Sequence, residues 1–195
     1  MSVLSAPEAS PPHLAWIAER LRQVTVEIHT EAGGGAGILW AADLVVTNAH
    51  VARDSWARVG LADDRRLDAR LVIADRRADA DLALLRMPRS GAPPAELADS
   101  DALRVGALVV ALGHPLGLRR TLTAGVVHAL APARPGGRRW IHADVRLAPG
   151  NSGGPLADTA GRVVGINTMI AGGLALAIPI NDVRRFVASA AAGAT

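Results

Sequence analysis

Along most of this chain the hydrophobic positions recur every second residue, in short runs broken by Gly, Pro, Asp and Asn. Val24, Val26 and Ile28 alternate with Thr25, Glu27 and His29, which predicts a strand with one buried face and His29 on the outward one. Residues 37–40 and 44–47 read as a hairpin turning at 41–43, and 57–62 and 67–74 as two strands around Asp63-Asp64-Arg65-Arg66. A further apolar run begins at Asp81. The same short strands and turns then repeat over 106–112, 121–130, 138–145, 154–157, 162–170 and 174–180. Helical spacing is confined to the ends. Leu14, Ile17, Ala18 and Leu21 predict an amphipathic helix over 13–23, with Trp16 turned to the core, and Asn181 is placed to cap a second over 181–189 that buries Val183, Phe186 and Val187.

This pattern predicts an all-β fold of two antiparallel barrels with a cleft between them, bracketed by short N- and C-terminal helices. Barrel one occupies about 23–90 and barrel two about 101–180, joined by a Pro- and Ala-rich linker at about 91–100; 13–189 make one domain, with a disordered tail at 1–12 and another tail at 190–195.

Composition narrows the chemistry. The 195 residues include no cysteine, which removes disulfides, thiolate nucleophiles and cysteine metal sites together. All 21 basic residues are Arg and the net charge is +3, but the arginines are scattered and interleaved with Asp, a solvated surface rather than a nucleic-acid footprint. No apolar run reaches the ~18 residues of a membrane span, and the amino terminus lacks a basic region followed by an apolar core. No nucleic acid, membrane, metal or cofactor is therefore expected, and the default location is cytoplasmic, or periplasmic or secreted if Met1 is not the native start.

The chemistry gathers at Pro149-Gly150-Asn151-Ser152-Gly153-Gly154-Pro155-Leu156. Glycines on both sides of a serine let the backbone turn sharply and expose the hydroxyl. The N–H groups of Gly150 and Ser152 can then form a pocket for the oxygen of a tetrahedral acyl intermediate. A serine hydroxyl needs a base, and the base an orienting carboxylate. The stretch also fits the Gly-x-Ser-x-Gly elbow of α/β-hydrolases, but that fold places its histidine after the serine, and all six histidines here precede Ser152. His50 ends a predicted strand, and Asp81, at the head of an apolar run, needs a hydrogen-bond donor if its carboxylate is drawn inward. The order His, Asp, Ser on a β scaffold remains.

Thr47-Asn48-Ala49-His50-Val51, Asp81-Leu82-Ala83-Leu84-Leu85 and Gly150-Asn151-Ser152-Gly153-Gly154-Pro155-Leu156 resemble, in that order, the three motifs of the chymotrypsin-like serine peptidases in their HtrA (Deg) branch. Weaker echoes, among them Gly113-His114-Pro115-Leu116-Gly117 and Gly165-Ile166-Asn167-Thr168, extend the resemblance over about 13–188. It implies two six-stranded barrels and a serine endopeptidase acting through an acyl-enzyme on protein or peptide substrates, in protein quality control or regulated proteolysis. His50 would be general base, Asp81 its orienter, Ser152 the nucleophile, and Gly150 and Ser152 the oxyanion donors. The alternatives are a silent peptide-binding or chaperone protein on the same fold, or an esterase. A monomer or a homotrimer fits equally.

Departures from the family carry expectations of their own. Asn151 stands where secreted digestive relatives have an aspartate that pairs with a cut amino terminus, so no activating cleavage is expected. The chain stops soon after its last predicted helix, which predicts that no PDZ domain follows. His114 stands where relatives often have Asn and receives no role. Arg146 lies six residues before Ser152, a spacing that in the family places a side chain at the base of the primary specificity pocket, where relatives usually carry something small. Pointing inward it would select an acidic residue before the scissile bond. Pointing to solvent it would leave an apolar pocket lined by Ile166, Asn167, Leu174 and Leu176, with Thr168 beside it, for small aliphatic residues. The cost of burying an unpaired guanidinium favours the second.

Overall fold

In a computed structural model that describes residues 13–77 and 79–192, twelve strands close into two six-stranded antiparallel barrels. The tail expected at 1–12, and the last residues of that expected at 190–195, lie outside the described residues. Barrel one is built from β1 (Thr25–Thr30), β2 (Gly33–Ala41), β3 (Leu44–Thr47), β4 (Trp56–Gly60), β5 (Arg66–Asp75) and β6 (Leu82–Arg86), hydrogen-bonded in the order β1-β2-β3-β6-β5-β4. Barrel two uses β7 (Leu108–Gly113), β8 (Thr121–Pro132), β9 (Arg139–Ala143), β10 (Pro155–Ala157), β11 (Val163–Ala171) and β12 (Leu174–Pro179), in the order β10-β11-β12-β9-β8-β7. Closure pairs every edge, so neither barrel leaves an unpaired strand side as a template for aggregation.

Each barrel is filled by its inward set of alternating residues: Val26, Ile28, Leu39, Val45, Val59 and Leu85 in the first, Val109, Ala111, Val127, Ile141, Leu156 and Ala177 in the second. A third apolar cluster joins them, with Ile38, Val46, Leu82 and Leu84 of barrel one against Trp140, Ile166, Leu176 and Ile178 of barrel two. Complete burial of a side chain such as Ile166 or Leu176 contributes about 1.5–3 kcal/mol, so this seam holds the relative position of the barrels on which any site between them depends. Helix α2 (Ile180–Ala192) covers the seam with Ile180 and Val183, and helix α1 (Leu14–Val24) packs Ile17 and Leu21 on Val110 and Leu112.

Three local expectations are corrected. Trp16 is 41% exposed, its ring covered by the Arg20 guanidinium at 4.9 Å instead of by the core. Asn181 lies inside α2 rather than before it, because its N–H is met by Ser100 Oγ at 3.2 Å while its side-chain amide reaches Asp99 and Asp101. Glu27 and Thr25, predicted on the outward face of β1, are buried. For Glu27 the cause is the turn after β7, which lays His114 and Arg119 of barrel two over that face.

Candidate active site

Two turns of barrel one bring a histidine and an aspartate together. His50 follows β3 in a tight turn closed by Val51 N–H and Ala52 N–H donating to the Asn48 carbonyl at 3.1 Å each. The Arg76 guanidinium donates to the carbonyls of Ala49, Ala52 and Arg53 at 2.9, 3.2 and 3.2 Å, so the turn's outward carbonyls are held as well. Asp81 precedes β6 with φ of 41°, left-handed backbone that a non-glycine residue adopts only when its surroundings impose it. Those surroundings are visible: its N–H donates to Arg77 O at 3.0 Å, and its carbonyl accepts from Ala49 N–H at 3.2 Å and Asn48 Nδ2 at 3.0 Å.

Held this way, the Asp81 carboxylate faces His50 with both oxygens. Oδ1 accepts the His50 backbone N–H at 3.0 Å and Oδ2 lies 2.6 Å from Nδ1. A carboxylate acceptor at Nδ1 places the proton on that nitrogen and leaves Nε2 with its lone pair free. The Asp81 side chain is 13% exposed and that of His50 40%, so the carboxylate sits behind a ring that solvent and ligand can reach.

Ser152 comes from the loop between β9 and β10. Gly150 and Gly153 adopt φ of 106° and 85°, open to glycine and strained for any other residue. Gly153 is also where the barrels touch backbone to backbone: a Cβ there would collide with the Ala36 carbonyl and Thr47 Oγ1 of barrel one. Ala36 N–H donates to Ser152 O at 2.8 Å and Gly153 N–H to Asn167 O at 2.8 Å, so the serine's peptide is stitched to both barrels. Among the described residues, the N–H groups of Gly150 and Ser152 have no protein acceptor. Beside them opens a cleft of about 300 Å³ lined by Glu27, His29, Gly35, His114, Pro149 and Gly150.

The Ser152 hydroxyl donates to the Thr168 carbonyl at 3.1 Å, and among the described residues no hydrogen bond joins it to His50. Thr168 also accepts Asn48 Nδ2 on its Oγ1 at 3.1 Å, so one buried residue of β11 touches both the serine and the histidine's turn.

The residues expected to bind substrate are placed less uniformly. Arg146 is exposed, its guanidinium without a partner among the described residues, and its carbonyl accepts Thr123 Oγ1 at 3.0 Å. Ile166 and Leu176 are fully buried in the seam, and Asn167 is fully buried with Nδ2 on Pro155 O at 2.8 Å, so these side chains present no surface to a ligand. Leu174 is half-buried at the start of β12, and Thr168 is 3% exposed. Sequence reasoning missed Met169 and Ile170, which follow Thr168 directly on β11 and expose apolar side chains, 39% and 55%. It also missed Asn48 and Arg76 as supports, although the Asn-x-His spacing and an Arg before the aspartate were there to read. Among the described residues no group of three or more His, Cys, Asp or Glu gathers as a metal-ligand set, and no helix is long and apolar enough to cross a membrane.

The family described as trypsin-like peptidase domain matches residues 35–166. Over 156 residues, 75% of this chain and 32% of the relative, the sequence is 42% identical to a probable periplasmic serine endoprotease DegP-like of Ectopseudomonas mendocina (strain ymp). It is 39% identical over 162 residues to the periplasmic serine endoprotease DegP of Escherichia coli (strain K12), 77% of this chain and 34% of that one. The chain thus spans about a third of the length of these curated relatives. Among solved structures, an HtrA-type protease AlgW with tripeptide superposes with a TM-score of 0.83 at 31% identity, covering 91% of this chain and 63% of that one. Its counterpart with decapeptide gives 0.81 at 27%, covering 90% and 66%.

Proposed function

We propose that this chain, which belongs to the trypsin-like peptidase domain family and is homologous to the HtrA and DegP serine proteases, hydrolyses peptide bonds through Ser152, His50 and Asp81. The observation that carries the reading is the two-point grip of Asp81 on His50, which fixes both the ring's tautomer and its direction.

The chemistry runs through these atoms. The Ser152 hydroxyl turns about its Cα–Cβ bond from the Thr168 carbonyl to His50 Nε2, which takes the proton as Oγ attacks the substrate carbonyl carbon. The imidazolium formed is stabilised by Asp81, whose carboxylate stays ionised. The carbonyl oxygen becomes an oxyanion, received by the N–H groups of Gly150 and Ser152, which have no acceptor among the described residues; one such donor contributes about 3 kcal/mol to lowering the barrier. Collapse breaks the C–N bond, and Nε2 returns its proton to the leaving amine. Water, deprotonated by the same nitrogen, then cleaves the acyl-enzyme and restores the serine hydroxyl. The chain before the scissile bond would lie along Met169 and Ile170, whose exposed apolar side chains suit small aliphatic residues. The exposed position of Arg146 supports that preference over an acidic one.

A second reading, a peptide holder that does not cut, is favoured by one observation: among the described residues the Ser152 hydroxyl is engaged by Thr168 and not by His50. A periplasmic setting, as in the names of the DegP relatives, fits better than the cytoplasmic one expected from the amino terminus. Incubation of an unfolded protein such as casein with wild type and Ser152→Ala separates the two readings. Fragments formed by the wild type alone are expected, and binding by both without fragments would leave the holder.

A further inference from the structure

The turn between β7 and β8 contains a buried polar cluster that the peptide-cleaving steps do not use. His114, the first residue after β7, has a side chain only 8% exposed. Its Nδ1 lies 3.3 Å from Glu27 Oε1 of barrel one and 3.3 Å from the Arg120 amide nitrogen. Glu27 is itself buried and accepts Arg119 Nε at 2.6 Å. Arg119 continues to Asp64 at 2.7 Å, and Arg120 to the Ala62 carbonyl at 2.7 Å. His29 Nε2 approaches the other Glu27 oxygen at 3.5 Å. The turn of barrel two is therefore pinned to barrel one at β1 and at the β4–β5 turn, with a carboxylate at the centre.

The other side of this turn carries the loop of Gly150. The His114 N–H donates to Gly150 O at 3.1 Å, and a Cβ on Gly150 would collide with the His114 carbonyl. One residue earlier, Gly113 leaves no room between itself and Asn151. The backbone of 113–115 is thus the wall on which 150–151 rest, and Glu27 lies against the same turn.

We infer that Glu27 is a positioning residue for the oxyanion donors: through Arg119 it fixes the β7–β8 turn, and the turn fixes Gly150. The inference rests on the peptidase reading given above. Its energetic logic is that a Gln in place of Glu27 keeps the volume and removes the buried negative charge with which the Arg119 guanidinium pairs, which weakens the hold on the turn. Oxyanion donors act in the transition state, and a small misplacement of them lowers kcat while leaving ground-state binding alone.

The test is steady-state hydrolysis of a quenched fluorescent peptide by wild type, Glu27→Gln and Arg119→Gln, with thermal unfolding followed in the same buffer at neutral pH. The expected result is a kcat lower by about tenfold in Glu27→Gln and by a smaller factor in Arg119→Gln, with KM moved by less than about twofold in folded protein. Unchanged kcat, or a loss confined to KM, overturns the positioning role. Should Glu27→Gln not fold, Arg119→Gln decides alone, since it alters the half-exposed end of the same pair. An active wild type with an unaffected variant removes this inference only; a wild type that neither hydrolyses nor is labelled at Ser152 removes the peptidase reading and the inference with it.

Discussion

Ser152 Oγ and the carbonyl of Thr168 are hydrogen-bonded at 3.1 Å, which directs the serine's proton to barrel two's own backbone. Release costs about one neutral hydrogen bond, roughly 1 kcal/mol, a few-fold in population and small beside a catalysed barrier. What matters more is that Thr168 is a joint: its Oγ1 also takes Asn48 Nδ2, whose other contact is the Asp81 carbonyl.

Asn48→Ala should therefore act at a distance. It removes a side chain that ties the His50 turn, the Asp81 backbone and β11 together, leaving a buried hydroxyl short of a donor. A loss of about 1–3 kcal/mol in urea unfolding is expected. A kcat decrease should accompany it without a matching change in KM, and an unchanged unfolding midpoint would show the joint to be idle.

Gly153→Ala is expected to be far more damaging than its size suggests. Left-handed backbone costs a non-glycine residue about 1–2 kcal/mol, and the new methyl group must also displace the Ala36 carbonyl and Thr47 Oγ1. A combined loss of about 3 kcal/mol, with peptidase activity abolished, should appear in unfolding and turnover assays. Retention of full activity would mean that the barrels do not meet here.

These two residues mark the limit of what could be read from the chain. The motifs around His50 and Asp81 are local, and the alternation that sets the strands has a period of two, so both the pairing of these two residues and the double barrel were legible. The cross-barrel contacts were not, because no short window contains them. Glu27 looked like a solvated position on an alternating strand until a turn some ninety residues later covered it, a separation of 92 for the Arg119 bond. Asn181 likewise had the chemistry of a helix cap, and a serine from a distant loop, Ser100, took the contact with its N–H.

Stability should fall with acid through His114. Burial, partly opposed by the Glu27 carboxylate and reinforced by Arg119 and Arg120, lowers the pKa of this imidazole from 6.5 to about 4. Burial pushes the Glu27 carboxyl up, yet the hydrogen bond from Arg119 and the nearby His114 and His29 hold it below its ordinary value. Between pH 6.5 and about 4 the unfolded chain binds a proton at His114 that the folded chain refuses, so folding stability declines as pH falls, by at most about 1.4 kcal/mol per unit. Denaturation curves across that window should be flatter for His114→Asn than for wild type, and equal slopes would remove His114 from the acid response.

Arg146→Ala should leave specificity untouched. Its guanidinium is exposed and unpartnered among the described residues, a position from which it would neither neutralise a substrate carboxylate inside a pocket nor support a wall. Cleavage-site profiling on a protein mixture is expected to give the same preference before the scissile bond for both proteins. A lost preference for acidic residues would place the side chain inside.

Covalent capture of Ser152 by a fluorophosphonate tests the central claim most directly, since the reagent reports an activated hydroxyl whatever the natural substrate. Wild type should be labelled at Ser152 alone, Ser152→Ala not at all, and His50→Ala and Asp81→Asn more slowly by about three to four orders of magnitude. A wild type that resists the reagent, or a His50→Ala protein that reacts as fast as wild type, would contradict it.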